Sequence, residues 1–318
     1  MNSNIEKLFE NFPTEDDLQN IIRQASSTSI GSEFSAKDID SWLDNFKGEV
    51  LELKYERLLA LWLLSHFTYY NKEEVDHLCK VLYADLIHSI ISDIDLSVTS
   101  IEETVNLFFS KTNIISAERT SGSGGFIAYL FRQANELPIG ELFNFSLENI
   151  SDTIENIIVI DDVTLSIGEA SQKYKFWEKA RKLYQSKNFY LLTLIATESS
   201  IQDLYDTFNV KVISPVILDN RDKCFSEESD TFSSFPSLIE QAKNVATFYG
   251  EKIGITDIAG NNHPLGYNDG QYAFGFYYNI PDNTLPIFWG QKNGWLPILR
   301  RYHKNYKTKN YLHNERFI

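Results

Sequence analysis

An unbroken run of four β-branched residues, Ile157 to Ile160, followed at once by Asp161 and Asp162, most constrains what this chain can fold into. Such a run reads as a strand buried on both faces, the kind a parallel α/β sheet contains, and that sheet places whatever follows the strand at its carboxyl end, where ligands bind. Val163 to Ser171 (VTLSIGEAS) comes next, with hydroxyls and a glycine, and then the helical pattern QKYKFWEKARKLYQ. Free backbone N–H groups at that helix start suit a phosphate. Two adjacent acids beside an anion cradle fit a sugar phosphate, the carboxylates taking ribose hydroxyls or a magnesium ion. A helix cap remains an alternative for one of the two acids, and explains one carboxylate better than two.

The rest of the chain divides by texture. Residues 3–25, 36–70 and 72–95 carry apolar positions at three- and four-residue spacing, among them Leu58, Leu61, Leu64, Val75, Leu78 and Leu82, with loop-like breaks at 26–32 and 69–74. From about residue 100 short apolar runs alternate with helical patterns: NIISAE, FIAYLFRQANEL, NIIVIDD, FWEKARKLYQ, FYLLTLIAT, SIQDLYDTF, VKVISPVIL. This is the order of an α/β sheet flanked by helices. A helix at roughly 233–250 and two hydrophobic strands, YAFGFYYNI and LPIFW, are expected to close the fold. The expected domains are a helical 1–100, an α/β 101–299 and a basic tail 300–318.

A second loop, RTSGSGG at 119–125, lies between the first sheet-like strand and its helix. Its glycines permit positive φ and close backbone approach, its serines donate hydrogen bonds, and Arg119 adds charge, which together suit a diphosphate. A glycine-serine loop is also a common plain connector. A P-loop reading of the acid pair fails because no Gly-x-x-x-x-Gly-Lys-Ser/Thr occurs, and a phosphoacceptor reading fails because FYLLTLIAT ends in Thr197 and Glu198 rather than an acid at the strand end itself.

Charge and cysteine usage exclude further classes. The formal net charge of −15 argues against a surface built wholly for nucleic acid. From Arg300 onward, however, the tail RRYHKNYKTKNYLHNERFI holds six Lys or Arg against one acid, so Arg301, Lys304, Lys307 and Lys309, with interleaved tyrosines, are candidate nucleic-acid contacts. A strap across an acidic body is the plainer reading of the same residues. Two distant cysteines, Cys79 and Cys224, offer neither a disulfide framework nor a zinc site. The amino terminus MNSNIEKLFENF is polar and acidic, no stretch has the length of a membrane span, and a cytoplasmic protein is expected. His66, His77 and His88 fall in amphipathic helices, while His263 lies in a polar loop before a strand and is a weaker candidate contact.

The strand, acid pair and turn at 157–171 resemble the phosphoribosyl-diphosphate (PRPP) loop of type I phosphoribosyltransferases. Ser166 stands where that family has its hydroxyl, whereas Ile167 takes the usual glycine position and Glu169 a hydroxyl position; a one-residue insertion would let Ser171 serve instead. Three further motifs in this order, SWLDNF at 41–46, the tyrosine-containing helix pair LLALWLLSHFTYYNKEEVDHLCKVLYADL at 58–86, and PDNTLPIFW at 281–289 followed by WLPILR, resemble the phosphoribosyltransferase-like domains of bacterial conflict systems, including those beside retron reverse transcriptases. The resemblance covers nearly the whole chain. It implies a type I phosphoribosyltransferase-like α/β sheet preceded by a helical N-terminal domain, and an anti-phage defence effector acting on nucleotides or nucleic acid, or a catalytically degenerate nucleotide-binding or scaffold subunit. It implies that Asp161 and Asp162 hold the ribose hydroxyls, Ser166, Gly168 and Ser171 the 5′-phosphate, and Arg119, Ser121, Gly122, Ser123 and Gly124 the diphosphate. Mg2+ would accompany PRPP, held in part by Asp161 and Asp162. Partner proteins such as a reverse transcriptase would complete the complex.

Overall fold

The computed structural model describes residues 2–25, 36–92, 100–116, 123–138, 147–168, 171–257 and 259–302. The front of the chain is helical, but in shorter pieces than the periodicity predicts. The first stretch divides into α1 (Asn2–Leu8) and α2 (Glu15–Ala25), because Pro13 between them lacks the N–H a continuous helix needs. The second divides into α3 (Ala36–Leu43) and α4 (Leu53–Ser65), with Gly48 at φ +73° in the turn that separates them. A short strand β1 (Thr68–Tyr70) leads into α5 (Lys72–Ile91), whose start is fixed by a reciprocal cap between Asn71 and Glu74. Ser100 and Glu103 start α6 (Ile101–Ser110) in the same way.

The α/β texture is realised in order. β2 (Thr112–Ser116), α7 (Ser123–Ala134), β3 (Asn156–Thr164), α8 (Gln172–Leu183), β4 (Asn188–Thr197), α9 (Glu198–Phe208), β5 (Val210–Ile213) and β6 (Val216–Leu218) follow one another along the chain. The sheet runs β2-β3-β4-β5, every pair parallel, and β6 continues beside the carboxyl half of β4 after Pro215 interrupts the edge. Side-chain alternation then sorts the faces. Ile158 and Ile160 pack with Leu82 of α5 and Phe131 of α7, while Ile157 and Val159 pack with Trp177 of α8 and Leu204 of α9.

The closing segments depart from their sequence reading. α10 (Ile239–Ile253) lies close to its expected place. Of YAFGFYYNI only β7 (Phe274–Phe276) is strand, paired parallel with β1. LPIFW is not a strand: Pro286 opens a single helical turn, α11 (Pro286–Trp289), a place proline favours because its φ is already helical. That turn ties the two ends together. Trp42 and Trp295 both donate their indole N–H to the Ile287 carbonyl, at 2.7 and 3.0 Å, and Trp289 donates to Thr284.

The buried clusters consequently do not follow a boundary at residue 100. Leu18, Trp42, Phe46 and Leu61 share one core with Leu238, Tyr249, Phe288 and Trp295, whereas α5 belongs to the core on the sheet. The apolar faces of α2 to α4 are completed only by residues some two hundred positions later. No helix among the described residues is long and apolar enough to cross a membrane.

Candidate ligand site at the carboxyl edge of the sheet

β3 runs further than its apolar run. Asp161 and Asp162 lie inside the strand, with Asp161 in register with Thr193 and Val163 with Ile195. Both are buried, 1% and 9% exposed, and the neighbouring strand β4 runs on past them to Thr197. Each carboxylate bends back along its own strand. Asp161 Oδ1 accepts from the Asp162 N–H and Asp162 Oδ1 from the Val163 N–H, both at 2.9 Å. The remaining Asp161 oxygen pairs at 2.6 Å with Nζ of Lys173, in the first turn of α8, which also donates to the Val163 carbonyl.

Burial pushes the Asp162 carboxyl up to about 7; the charge of Asp161 adds to this and Lys173 opposes it. Asp162 therefore tends to keep its proton toward neutrality. A tyrosine from the segment after β7 stands beside it. The Tyr278 phenol is raised well above its usual value, by burial first and then by the charges of Asp162 and Asp161. Its hydroxyl is closed off from solvent and makes no hydrogen bond to the described residues, and the same holds for Thr164 Oγ1 at the end of β3. The Tyr278 ring stacks on Phe276 and meets Phe126, in the first turn of α7, edge-on at 5.1 Å. The start of α7 therefore comes, through Phe126 and Tyr278, to the neighbourhood of the acid pair.

A cleft of about 430 Å³ opens at the carboxyl ends of β3, β4 and β6, where open α/β sheets bind ligands. Ser166, Ile167 and Gly168 form one wall, Thr197 and Ser199 at the start of α9 another, and Asn268 to Gly270 a third. The third wall is held by close backbone contact: a side chain on Gly266, at φ +93°, or on Gly270 would meet the Asn283 carbonyl at 2.2 or 2.4 Å. The lining carries Glu198, Asp203, Asp219, Glu228 and Asp269 against Lys223. The charge of this cleft suits hydroxyl and amino groups better than a bare anion.

Ser166 and Gly168 thus line the cleft, whose wall begins at Leu165, just past the end of β3; Asp161 and Asp162 are not part of that wall. Ser171 caps α8, its hydroxyl accepting from the Tyr174 N–H at 3.0 Å, so one of its two lone pairs serves the helix while its hydrogen remains for a ligand phosphate. Ser123 and Gly124 form the first residues of α7. Arg119, Ser121, Gly122 and Glu169 lie outside the described residues, as do Lys304, Lys307 and Lys309. Arg301 faces inward, donating to the Ile280 carbonyl, pairing with Asp282 at 3.4 Å and lying 4.7 Å over the Trp289 ring, with 15% of its side chain exposed. His263 is likewise engaged, 3.3 Å from Asp257 and with its ring tilted against Tyr267.

Two neighbours of the acids went unread in the sequence. Lys173 had one available signal, a cation in the first turn of a helix, where the dipole disfavours it unless an anion is near. Tyr278 had none, since it reaches β3 from more than a hundred residues away. The magnesium expected from the resemblance fits these surroundings poorly. Mg2+ asks for near-octahedral oxygens, yet two of the four carboxylate oxygens of the pair accept an N–H of their own strand, and a third, Asp161 Oδ2, which makes no hydrogen bond, stands in an ion pair 2.6 Å from the Lys173 ammonium. No group of three His, Cys, Asp or Glu able to hold a metal occurs among the described residues.

Comparison with known proteins adds one finding. A profile of a family described as PRTase-CE matches residues 39–301, from within α3 to Arg301, which takes in the acid pair, the 119–125 loop and the motifs at 41–46 and 281–300 but not the rest of the basic tail. No curated protein matches the chain, and no solved structure does.

Proposed function

Since the chain belongs to the PRTase-CE family, a phosphoribosyltransferase-like family, we propose that it binds PRPP or a related ribose phosphate as the effector of a bacterial conflict system and acts on nucleotides or nucleic acid. The observation that supports this reading is the continuity of β3 into the cleft: a buried acid pair, then Ser166 and Gly168 on the wall, then the capped start of α8. The sugar hydroxyls lie toward Asp162 and Tyr278, whose phenol is an unused donor. The phosphate lies between Gly168 and the start of α8, where backbone N–H groups of the helix and its dipole favour it. Attack at C1′ of such a donor passes through oxocarbenium character, so fixed electrostatics matter more than a strong base. A retron-type setting, with a reverse transcriptase as partner and the basic tail on nucleic acid, belongs to the same proposal.

The acid lining of the cleft favours a second reading, a module that binds the ribose phosphate without transferring it, because Glu198 and Asp219 oppose a departing diphosphate. Calorimetry with PRPP, followed by assay of released pyrophosphate over a panel of bases and nucleotides, separates the two. Binding with release supports the effector, and binding without release the sensor. The double variant Asp161→Asn/Asp162→Asn is expected to lose binding by at least about tenfold, as for a lost charged hydrogen-bond partner. Unchanged binding in a folded double variant moves the site elsewhere.

A further inference from the structure

We propose that Lys173 takes the place of a divalent cation at the acid pair, so that this chain holds no metal there and grips the sugar end of its ligand without one. Asp161 carries a side chain only 2% exposed, and a carboxylate so buried needs a counter-charge. The chain supplies that charge itself. Lys173 reaches in from the α8 surface, with 31% of its side chain exposed, and its Nζ is fixed at two points, Asp161 Oδ2 at 2.6 Å and the Val163 carbonyl. A lysine in the first turn of a helix opposes the dipole. Its presence there is explained by Asp161, to which the turn at 165–171 delivers it.

The geometry excludes sharing. Mg2+ bonds oxygens at about 2.0–2.1 Å in a near-octahedral shell. To reach Asp161 Oδ2 an ion would have to stand where Nζ now stands, and Asp161 Oδ1 and Asp162 Oδ1 are turned onto N–H groups of their own strand. The neighbouring Tyr278 and Thr164 hydroxyls, both buried and unbonded, are neutral donors that suit a ligand hydroxyl. The site therefore recognises a polyol through Lys173-neutralised carboxylates and two hydroxyls. That last step rests on the ribose-phosphate reading; the exclusion of metal does not.

Mn2+ alone, titrated into the full chain at neutral pH with its free fraction read by electron paramagnetic resonance, tests the metal claim without any ligand. The wild-type chain is expected to bind no Mn2+ that depends on Asp161. Lys173→Met, which vacates the position and restores the charge of the pair, is expected to tighten Mn2+ binding by at least about tenfold, and Lys173→Arg to behave as wild type. A Mn2+ site present in the wild-type chain and lost in Asp161→Asn overturns the proposal; this measurement stands even where Lys173→Met does not fold. Ribose 5-phosphate supplies the second arm, with equal affinity expected in EDTA and in Mg2+. Affinity that collapses in EDTA also overturns the proposal. Failure of ribose 5-phosphate and PRPP to bind under either condition overturns the ribose-phosphate reading, and the Mn2+ titration then decides on Lys173.

Discussion

Two regions of this molecule bury carboxylates as deeply as proteins do, and treat them in opposite ways. Glu56, fully buried in α4, accepts from the N–H groups of Gly48, Val50 and Leu51 and from the Tyr249 hydroxyl, at 2.6 to 3.1 Å. Every donor is neutral and local geometry is saturated, so the carboxylate acts as a staple that fixes the 46–52 turn onto α10. Asp161 and Asp162 stand side by side with one N–H each and a single lysine between them, next to hydroxyls that have no partner. A satisfied buried acid holds a fold together. An under-satisfied one is the place where the fold has something left to bind.

The sharpest way to break this comparison is Glu56→Ala. It leaves three part-buried N–H groups and a buried phenol without their acceptor, and a loss of about 3 kcal/mol in urea unfolding at pH 7 is expected. Glu56→Gln, which keeps some acceptors, is expected to lose about half of that. A loss below about 1 kcal/mol for the alanine variant would mean that the staple holds nothing.

Asp162→Asn is expected to act in the opposite direction. The folded-state carboxyl is raised by burial to about 7, well above the ordinary aspartate value, so its stabilising contribution is complete below the unfolded value and is lost as pH rises through the folded one. Wild-type stability should therefore fall between about pH 4 and about pH 7 on account of this group. Asparagine removes that slope, leaving the variant more stable at pH 8 by about 2 kcal/mol, a figure kept below the full shift because the pair is coupled. Denaturation curves across that range, in which the wild type gains stability with rising pH relative to the variant, would contradict the assignment.

The smallest effect is expected at Ser171→Ala, which removes the cap of α8 but no charge. A loss of about 1 kcal/mol is expected, as at other serine caps. Its diagnostic value lies in the accompanying change of ribose 5-phosphate affinity, since a frayed α8 start loosens the 166–171 turn and Lys173 together. Intact affinity in Ser171→Ala would place the phosphate away from this helix.

Much of the fold was legible in the residue pattern, because helix and strand periods are local. β3, β4, α7, α8 and α9 lie where apolar spacing puts them, and the acid pair does follow a buried run. LPIFW was misread for a physical reason: four apolar residues carry no period that separates a strand from a helical turn, and the proline that begins them was the better guide. The motifs at 41–46 and 281–289 are legible as related only once they touch, Trp42 on the Ile287 carbonyl.

The sequence by itself determined that a parallel α/β sheet would carry two acids and a hydroxyl-bearing turn at its carboxyl edge, since those residues are contiguous and their geometry follows from strand and helix alone. Only the tertiary structure decided that the acids are buried rather than open, that Lys173 neutralises one of them, that Tyr278 stands beside the other, that the cleft wall is acidic and that Arg301 faces inward. Each of those depends on which distant segment covers which face. Burial and charge pairing are properties of the neighbours, and neighbours brought together across a hundred residues leave no period in the chain.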